Sequence, residues 1–336
     1  MKIRHIQIRN FRGIKELDWT ITSSIVCLIG PGDSTKTTIL DAIELALLPY
    51  WAASLDDCDF YDGKTDNTIE IIVTFSQYPS EFANDSKFGT YIRGWNGKDG
   101  VHDLKEKHEG DEFVISIRLT VDEMLEHKWS VFTENDLDGK NISARDRSKL
   151  QVTRLGEIVD RHLTWKRGST LLNLAGDSKG ANAVLLDASR KTQEIVNLNS
   201  VDTLKETAEK VATETAKLGV NPRDAFNISL DMQAVHLGVG AISLYEGNTP
   251  ARMMGLGSRR LVALSMQLAS ATTGAPLLID EIEHGLDPHH TRRLLKHFQD
   301  FNDPKDGQIF MTSHSSIGSC SSLRIPQRPP RVFRPF

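Results

Sequence analysis

The sequence is short of cysteine, of long apolar runs and of any large excess of charge, and each shortage removes a class of protein. No stretch of about eighteen uninterrupted apolar residues occurs, so no segment reads as a membrane-spanning helix. The opening MKIRHIQIRNFRG alternates apolar and polar positions instead of presenting a signal-peptide core, and a cytoplasmic protein with no membrane partner is expected. The three cysteines, Cys27, Cys58 and Cys320, stand far apart with no partner at metal or redox spacing, and read as reduced, buried or incidental thiols. A formal net charge of -5 gives no global footprint of a dedicated nucleic-acid binder. One local run departs from that balance. Between Lys140 and Arg167 eight cations (Lys140, Arg145, Arg147, Lys149, Arg154, Arg161, Lys166, Arg167) face three acids, Asp146, Glu157 and Asp160, which fits either contact with DNA or a solvated helix face.

With 39% hydrophobic and 25% charged residues, the 336-residue chain can build one large core or two modest ones. Lys2 to Arg9 alternates as a strand, Glu16 to Ile21 pairs with it, and Ser24 to Ile29 is a short apolar run of the kind found in buried strands. A Gly- and Pro-containing turn follows, and then Ile39, Leu40, Ile43 and Leu47 keep helical spacing until Pro49. Thr68 to Phe75, Phe113 to Val121 and Trp129 to Thr133 read as strands of a β-rich lobe, with loops between Asn84 and Asp111. Ile142 to His162 and Val201 to Leu218 are helical in period, the second with Val201, Leu204, Ala208, Val211 and Leu218 along one side, suited to an arm, a dimer contact or core packing. Phe226 to His236 is strand-like, Ser258 to Ala271 helical, and Pro276 to Ile279 a buried strand ending in acids. The stretch from Gly318 to Phe336 has four Pro, four Arg and no acid, and reads as an irregular tail.

Strand, glycine loop and helix in that order frame the chemistry. Gly30, Pro31, Gly32, Asp33, Ser34, Thr35, Lys36 and Thr37 follow the phosphate-loop spacing G-x-x-x-x-G-K-[ST], with Thr35 in place of the second glycine and Thr38 continuing into the helix. Backbone N–H groups and the helix N-terminus there surround phosphate, the lysine neutralises its outer oxygens and the hydroxyl of Thr37 holds magnesium. An ordinary strand–turn–helix junction would look similar, and Thr35 crowds the loop. Far downstream, Leu277-Leu278-Ile279 delivers Asp280, fit to hold the magnesium shell, and Glu281, fit to activate the attacking water. Gly285, Leu286, Asp287 and Pro288 follow, then the apolar Ile309 to Met311 leading to Thr312, Ser313 and His314, whose imidazole is in place to contact a γ-phosphate. Gly255, Leu256, Gly257, Ser258, Arg259 and Arg260 open a helix whose N-terminal donors suit an anion.

In order and spacing these elements resemble an ABC ATPase, within it the SMC and RecF group, and most of all the OLD (overcoming lysogenization defect) family. The likeness is carried by Ile8-Arg9-Asn10-Phe11-Arg12-Gly13, by DSTKTTILDAIE from Asp33 to Glu44, by DDCDF from Asp56 to Phe60 and by GSRRL from Gly257 to Leu261. It implies that Asn10 and Arg12 lie near the nucleotide, that Lys36 and Thr37 bind phosphate and magnesium, that Ser258 is the signature residue offered to the opposite subunit, and that Asp59 stands in for the glutamine-loop residue at the metal. The family's full-length members commonly append a Toprim nuclease domain. Only 22 residues follow His314, without an acid among them, so no nuclease is expected from this chain alone.

The expected architecture is an α/β ABC-type P-loop ATPase head: a mixed sheet with flanking helices, an antiparallel β lobe and a helical insertion. An N-terminal lobe spans 1–140, the insertion 141–220, a C-terminal lobe 221–317 and the tail 318–336. The expected activity is magnesium-dependent ATP hydrolysis in a homodimer or larger homo-oligomer. It would gate a separate Toprim-type nuclease effector, with DNA as a further partner, in bacterial anti-phage defence or DNA maintenance. The rival reading is an ATP-bound scaffold that hydrolyses poorly because of Thr35. A small-molecule P-loop kinase leaves the late Asp-Glu pair, Asp287 and His314 unexplained.

Overall fold

Period-2 alternation in the first twenty residues makes a hairpin, and every larger layer is built outward from it. The computed structural model describes residues 1–32, 34–47, 49, 54–97, 100–102, 110–150, 152–156, 159–164, 169–175, 183–185, 187–188, 191, 202–217, 243–270, 274–299 and 307–314. Its strands are β1 (Lys2–Phe11), β2 (Ile14–Thr20), β3 (Ile25–Ile29), β4 (Ile69–Ser76), β5 (Arg93–Asn96), β6 (Gly100–His102), β7 (Glu112–Val121), β8 (His127–Thr133), β9 (Asp136–Asn141), β10 (Thr153–Leu155), β11 (Tyr245–Glu246), β12 (Thr249–Pro250), β13 (Leu277–Ile279) and β14 (Ile309–Ser313). Its α-helices are α1 (Lys36–Leu47), α2 (Ala144–Arg147), α3 (Thr170–Ala175), α4 (Asp202–Lys217), α5 (Leu256–Ser270) and α6 (Pro288–Gln299).

Two sheets matter for the site. The antiparallel sheet runs β2-β1-β4-β7-β5-β6, with β8 also on β7 and β9 on β8. The β-branched and aromatic residues that suit a pleated surface, among them Ile6, Ile8, Ile71, Val73, Phe75, Ile115 and Ile117, are fully buried along it. The parallel sheet runs β10-β13-β14-β3. Its strands are short apolar runs because parallel strands are covered on both faces, and Leu277 to Ile279 and Ile309 to Ser313 are buried throughout. Helix α1 lies in the core both sheets share: Ile39, Leu40, Ala42, Ile43, Ala46 and Leu47 are buried in one cluster with Val26, Leu278 and Phe310 on one hand and Ile8, Ile71 and Ile117 on the other. Gln308 ties the sheets further, accepting from Ile3 N (2.7 Å) and donating to the carbonyls of Ile3 (3.1 Å) and Ser23 (2.9 Å).

Two compact units emerge, Met1–Val159 with Gly255–Phe336 and Asp160–Met254, where the sequence sets the insertion at 141–220. In the second unit the described residues form α3, α4 and the β11–β12 ribbon, with Leu244 N donating to Leu163 O at 2.9 Å. On α4 Ala208 is buried and Val211 is 48% exposed; Val201, Leu204 and Leu218 lie outside the described side chains. None of the described helices is long and apolar enough to cross a membrane.

Three segments differ from expectation. Ile142 to His162 is not one helix: after the four-residue α2 the chain extends as β10, pairing parallel with β13 through Thr153–Leu277 and Leu155–Ile279. Helical period was outweighed there by an open ladder edge. Between Asn84 and Asp111 two short strands, β5 and β6, extend the sheet, since Arg93 to Trp95 finds Glu112 to Val114 as partner. The polar β9 pairs with β8 as its strand partner. Phe226 to His236 and the tail from Gly318 lie outside the described residues, as does Asp33 in the loop.

Candidate functional site

Strands β3, β14 and β13 run parallel, with Ile29 opposite Ser313 and Ile279 opposite Met311. Their C-terminal ends therefore deliver Gly30, His314 and the Asp280-Glu281 pair to one edge of the sheet, the edge at which open α/β sheets take ligands. The loop after β3 closes around Lys36. That side chain is buried, and its ammonium donates to the carbonyls of Gly30 (2.9 Å) and Pro31 (2.6 Å) and to Ser34 Oγ (3.1 Å). A cation so placed at the N-terminus of α1 adds to the helix dipole, an arrangement chemically suited to an anion. Thr35, where the motif expects glycine, sits at φ +62° with its hydroxyl on Ser34 O at 2.6 Å. This left-handed backbone is the one glycine adopts without strain, and a β-branched residue holds it at a cost. Gly13 gives the Thr35 methyl its room: a Cβ on Gly13 would lie 2.8 Å from Thr35 Cγ2.

Thr37 Oγ1 donates to Asp280 Oδ1 at 3.1 Å, and Thr312 Oγ1 donates to the same oxygen at 2.7 Å. Glu281 also has positive φ, +46°, and its neighbours over-determine that conformation: its N–H donates to Thr312 Oγ1 (2.7 Å) and its carbonyl accepts from Arg260 (2.8 Å) and from His284 N (2.8 Å). Its carboxylate is bracketed by two imidazoles, His314 Nε2 on Oε1 and His284 Nδ1 on Oε2, each at 3.2 Å. The His314 backbone N–H donates to Glu283 Oε1 at 2.6 Å.

Behind this edge runs a chain of charges. Arg12 donates from Nε to Asp59 Oδ1 (2.6 Å) and from Nη1 to Asp41. Asp41 also takes Arg154, which reaches Glu44 Oε2 (2.8 Å) and Asp280 Oδ2 (3.0 Å). Burial alone would lower the pKa of the Arg154 guanidinium; the carboxylates of Asp41 and Glu44 outweigh it and raise it instead.

The helix α5 begins beside this edge. Gly257 packs so tightly that a Cβ would lie 2.6 Å from Gly285 O, and Gly285, at φ +70°, faces Leu256. Ser258 is exposed one residue further on, while the buried Arg260 donates to the carbonyls of both Asp280 and Glu281. Asp287 caps α6, taking His289 N and His290 N at 2.9 Å each and His290 Nδ1 at 2.6 Å; its pKa is lowered chiefly by the His290 backbone N–H.

The fold thus brings Gly30, Pro31, Ser34, Thr35, Lys36, Thr37, Asp280, Glu281 and His314 to one edge, with Gly257 against the Gly285 turn. Two expected residues are placed differently. Asp59 does not meet Thr37 or Asp280: one oxygen is taken by Arg12 and the other by Asp56 N at 2.9 Å, because it closes a capped 3-10 turn. Asn10, at φ +55°, turns its amide to Thr68 O at 3.2 Å, ahead of β4, and bonds none of the described loop residues. Several cations of the basic run are held by the protein's own groups. Lys140 caps the carbonyls of Ser86 and Lys87, Lys149 pairs with Glu81, and Arg147 stacks on Trp129 at 4.1 Å with its pKa lowered to about 10 by burial. Arg145 is exposed, and the side chains of Arg161, Lys166 and Arg167 are outside the described set. Sequence reasoning missed Asp41, Arg154, Arg260, Thr312 and His284. Only Asp41 and Glu44 carried a signal, since they follow Thr37 by four and seven positions and share its helix face.

A family described as "AAA domain, putative AbiEii toxin, Type IV TA system" matches residues 25–317. A relative annotated "OLD nuclease" from Thermus scotoductus (strain ATCC 700910 / SA-01) is 24% identical over 342 residues, which cover 94% of this chain and 59% of that protein. The chain so spans less than two thirds of that relative's length. Two solved structures share the fold, each covering 94% of this chain and 90% of theirs at a TM-score of 0.51. They are an SmcHead bound to the C-winged helix domain of ScpA, 16% identical, and an Smc head domain with an extended coiled coil bound to the C-terminal domain of ScpA derived from Pyrococcus furiosus, 12% identical. The architecture is that of an ABC-type P-loop ATPase head, and with a match running from the start of β3 past the end of β14, the chain belongs to this AAA-domain family of nucleotide-binding ATPases.

Proposed function

We propose that the chain binds ATP with magnesium at the loop between β3 and α1 and hydrolyses it between two copies of itself. The observation that carries this reading is the hydrogen-bonded group of Thr37, Asp280, Thr312 and Glu281 at the sheet edge where the loop surrounds Lys36. A hydroxyl and a carboxylate oxygen 3.1 Å apart are hard, sparse donors, the kind that hold magnesium together with phosphate oxygens and water. Bound there, magnesium would neutralise charge on the phosphate oxygens.

The protein's own groups do the rest. Lys36 gives up loop carbonyls for phosphate oxygens, and the N–H groups at the start of α1 face the same charge. Glu281, fixed by Thr312, Arg260 and its two imidazoles, orients and deprotonates the attacking water, with His314 beside it to contact the γ-phosphate. Ser258, exposed at the start of α5, is offered to nucleotide on the second copy, so that ATP holds two heads together. We read the assembly as a cytoplasmic ATP-gated switch in bacterial anti-phage defence or DNA maintenance. It would act on a separate Toprim-type nuclease, a role the OLD nuclease likeness supports, with DNA a further partner and no nuclease chemistry in the head itself. The strained Thr35 favours a second reading, a scaffold that holds ATP and turns it over poorly.

The test is steady-state ATP hydrolysis with magnesium, beside Lys36→Ala and Glu281→Gln, with the mass in solution followed with and without ATP. Glu281→Gln is expected to lose about 10²–10⁴-fold in turnover and to trap an ATP-bound dimer, and Lys36→Ala to lose nucleotide binding. ATP binding without turnover in the parent would decide for the scaffold, and binding undiminished in Lys36→Ala would refute the site.

A further inference from the structure

The basic run between Lys140 and Arg167 sends one cation to the sheet edge, and its contacts there are specific. Arg154 stands on β10 opposite Leu278, two residues before Asp280. Its planar fork donates from Nη2 to Asp280 Oδ2 at 3.0 Å, and from Nη1 to Glu44 Oε2 at 2.8 Å and to Asp41. Its backbone carbonyl accepts from Gln267 Nε2 of α5 at 3.1 Å, and its side chain is 13% exposed. Thr37, Asp41 and Glu44 share one face of α1. The guanidinium therefore bridges the helix that carries Thr37 Oγ1 and the strand end that carries Asp280 Oδ1. With Oδ2 held by Arg154, the Asp280 carboxylate turns Oδ1 to Thr37 Oγ1.

We infer that Arg154 is a positioning residue for the magnesium-binding carboxylate, an inference that rests on the ATP–magnesium reading above. A rigid fork serves acidic partners on two elements, Asp41 and Glu44 on the helix and Asp280 at the strand end, at fixed separation, which a lysine, a single point charge on a flexible stem, does not. If Arg154 served only to neutralise Asp41 and Glu44, lysine would do as well.

The test uses the 336-residue chain carrying Glu281→Gln, a non-hydrolysable ATP analogue, and manganese as a paramagnetic stand-in for magnesium, with bound metal read by electron paramagnetic resonance. In Arg154→Lys, manganese affinity is expected to fall about 10–100-fold, the usual effect of removing a group that orients a metal ligand. Analogue binding in excess chelator should stay unchanged. Should the single substitution fold poorly, Arg154→Gln with Glu44→Gln removes one charge of each sign, leaves Arg12 on Asp41, and is expected to show the same split. Manganese affinity unchanged in whichever variant folds overturns the inference. Analogue binding unaffected by Lys36→Ala would instead break the reading beneath it, and the two failures are distinct.

Discussion

Thr35 and Gly13 form a pair that neither residue explains alone. A β-branched side chain at φ +62° costs about 1–2 kcal/mol by the sterics that confine left-handed backbone to glycine. Thr35→Gly should accordingly raise stability by about 1 kcal/mol, the relief outweighing glycine's added chain entropy. Gly13→Ala brings a Cβ to 2.8 Å from the Thr35 methyl and should cost about 1–3 kcal/mol as overpacking. The same change made with Thr35→Ser, which deletes that methyl, should cost markedly less, since groups in contact couple by about 0.5–3 kcal/mol. Urea unfolding of the four proteins measures the cycle, and strict additivity would show that the two residues do not meet. That Lys36, Thr37, Asp280 and Glu281 gather at one sheet edge was legible in sequence because the strand–turn–helix order fixes their place. Arg154 and Arg260 were not, because a guanidinium is defined by the acceptors around it, and these lie on strands and helices distant in the chain. Asp59 shows the converse: its carboxylate is of the right type for a metal, but Arg12 and Asp56 occupy it.

Among the elements, α5 is the one most constrained by contact with another backbone. Alanine is the better helix former by about 1 kcal/mol, so on propensity alone Gly257→Ala would stabilise α5. The added Cβ, however, meets the Gly285 carbonyl at 2.6 Å, and a main-chain oxygen in a turn at φ +70° cannot swing aside. The expected outcome is a loss of about 1–3 kcal/mol, read as a lower denaturant midpoint; an increase in the midpoint would mean that α5 and the Gly285 turn are not packed as described. Long periodic elements such as α1, β4 and β7 were legible from the sequence, whereas β5, β6, β9 and β10 were not. β6, β9 and β10 are short segments at sheet edges, and β5 is a short segment between β7 and β6; each extends because a neighbouring strand offers it free N–H and C=O groups.

On the scale of the whole molecule, Gln308 is the polar link between the layers. It is 1% exposed and its amide serves Ile3 N, Ile3 O and Ser23 O. Gln308→Leu keeps the volume and strands these backbone groups in the core, at about 1–3 kcal/mol for each group left unsatisfied. A melting temperature lowered by several degrees is expected, and an unchanged one would show that other donors and acceptors take over. The sequence by itself determined the fold class, the strand–turn–helix that carries Lys36, the carboxylate pair and their order, because local period and residue chemistry are written in consecutive positions. The tertiary structure alone decided that Arg12, Asp41 and Arg154 link the first hairpin to Asp280, that Lys140, Arg147, Lys149 and Arg154 of the basic run are held by the protein's own groups, and that Glu281 lies between two histidines. Parallel strands bring their ends together only after folding, so a side chain's partners across them are set by register and packing, which no local pattern encodes.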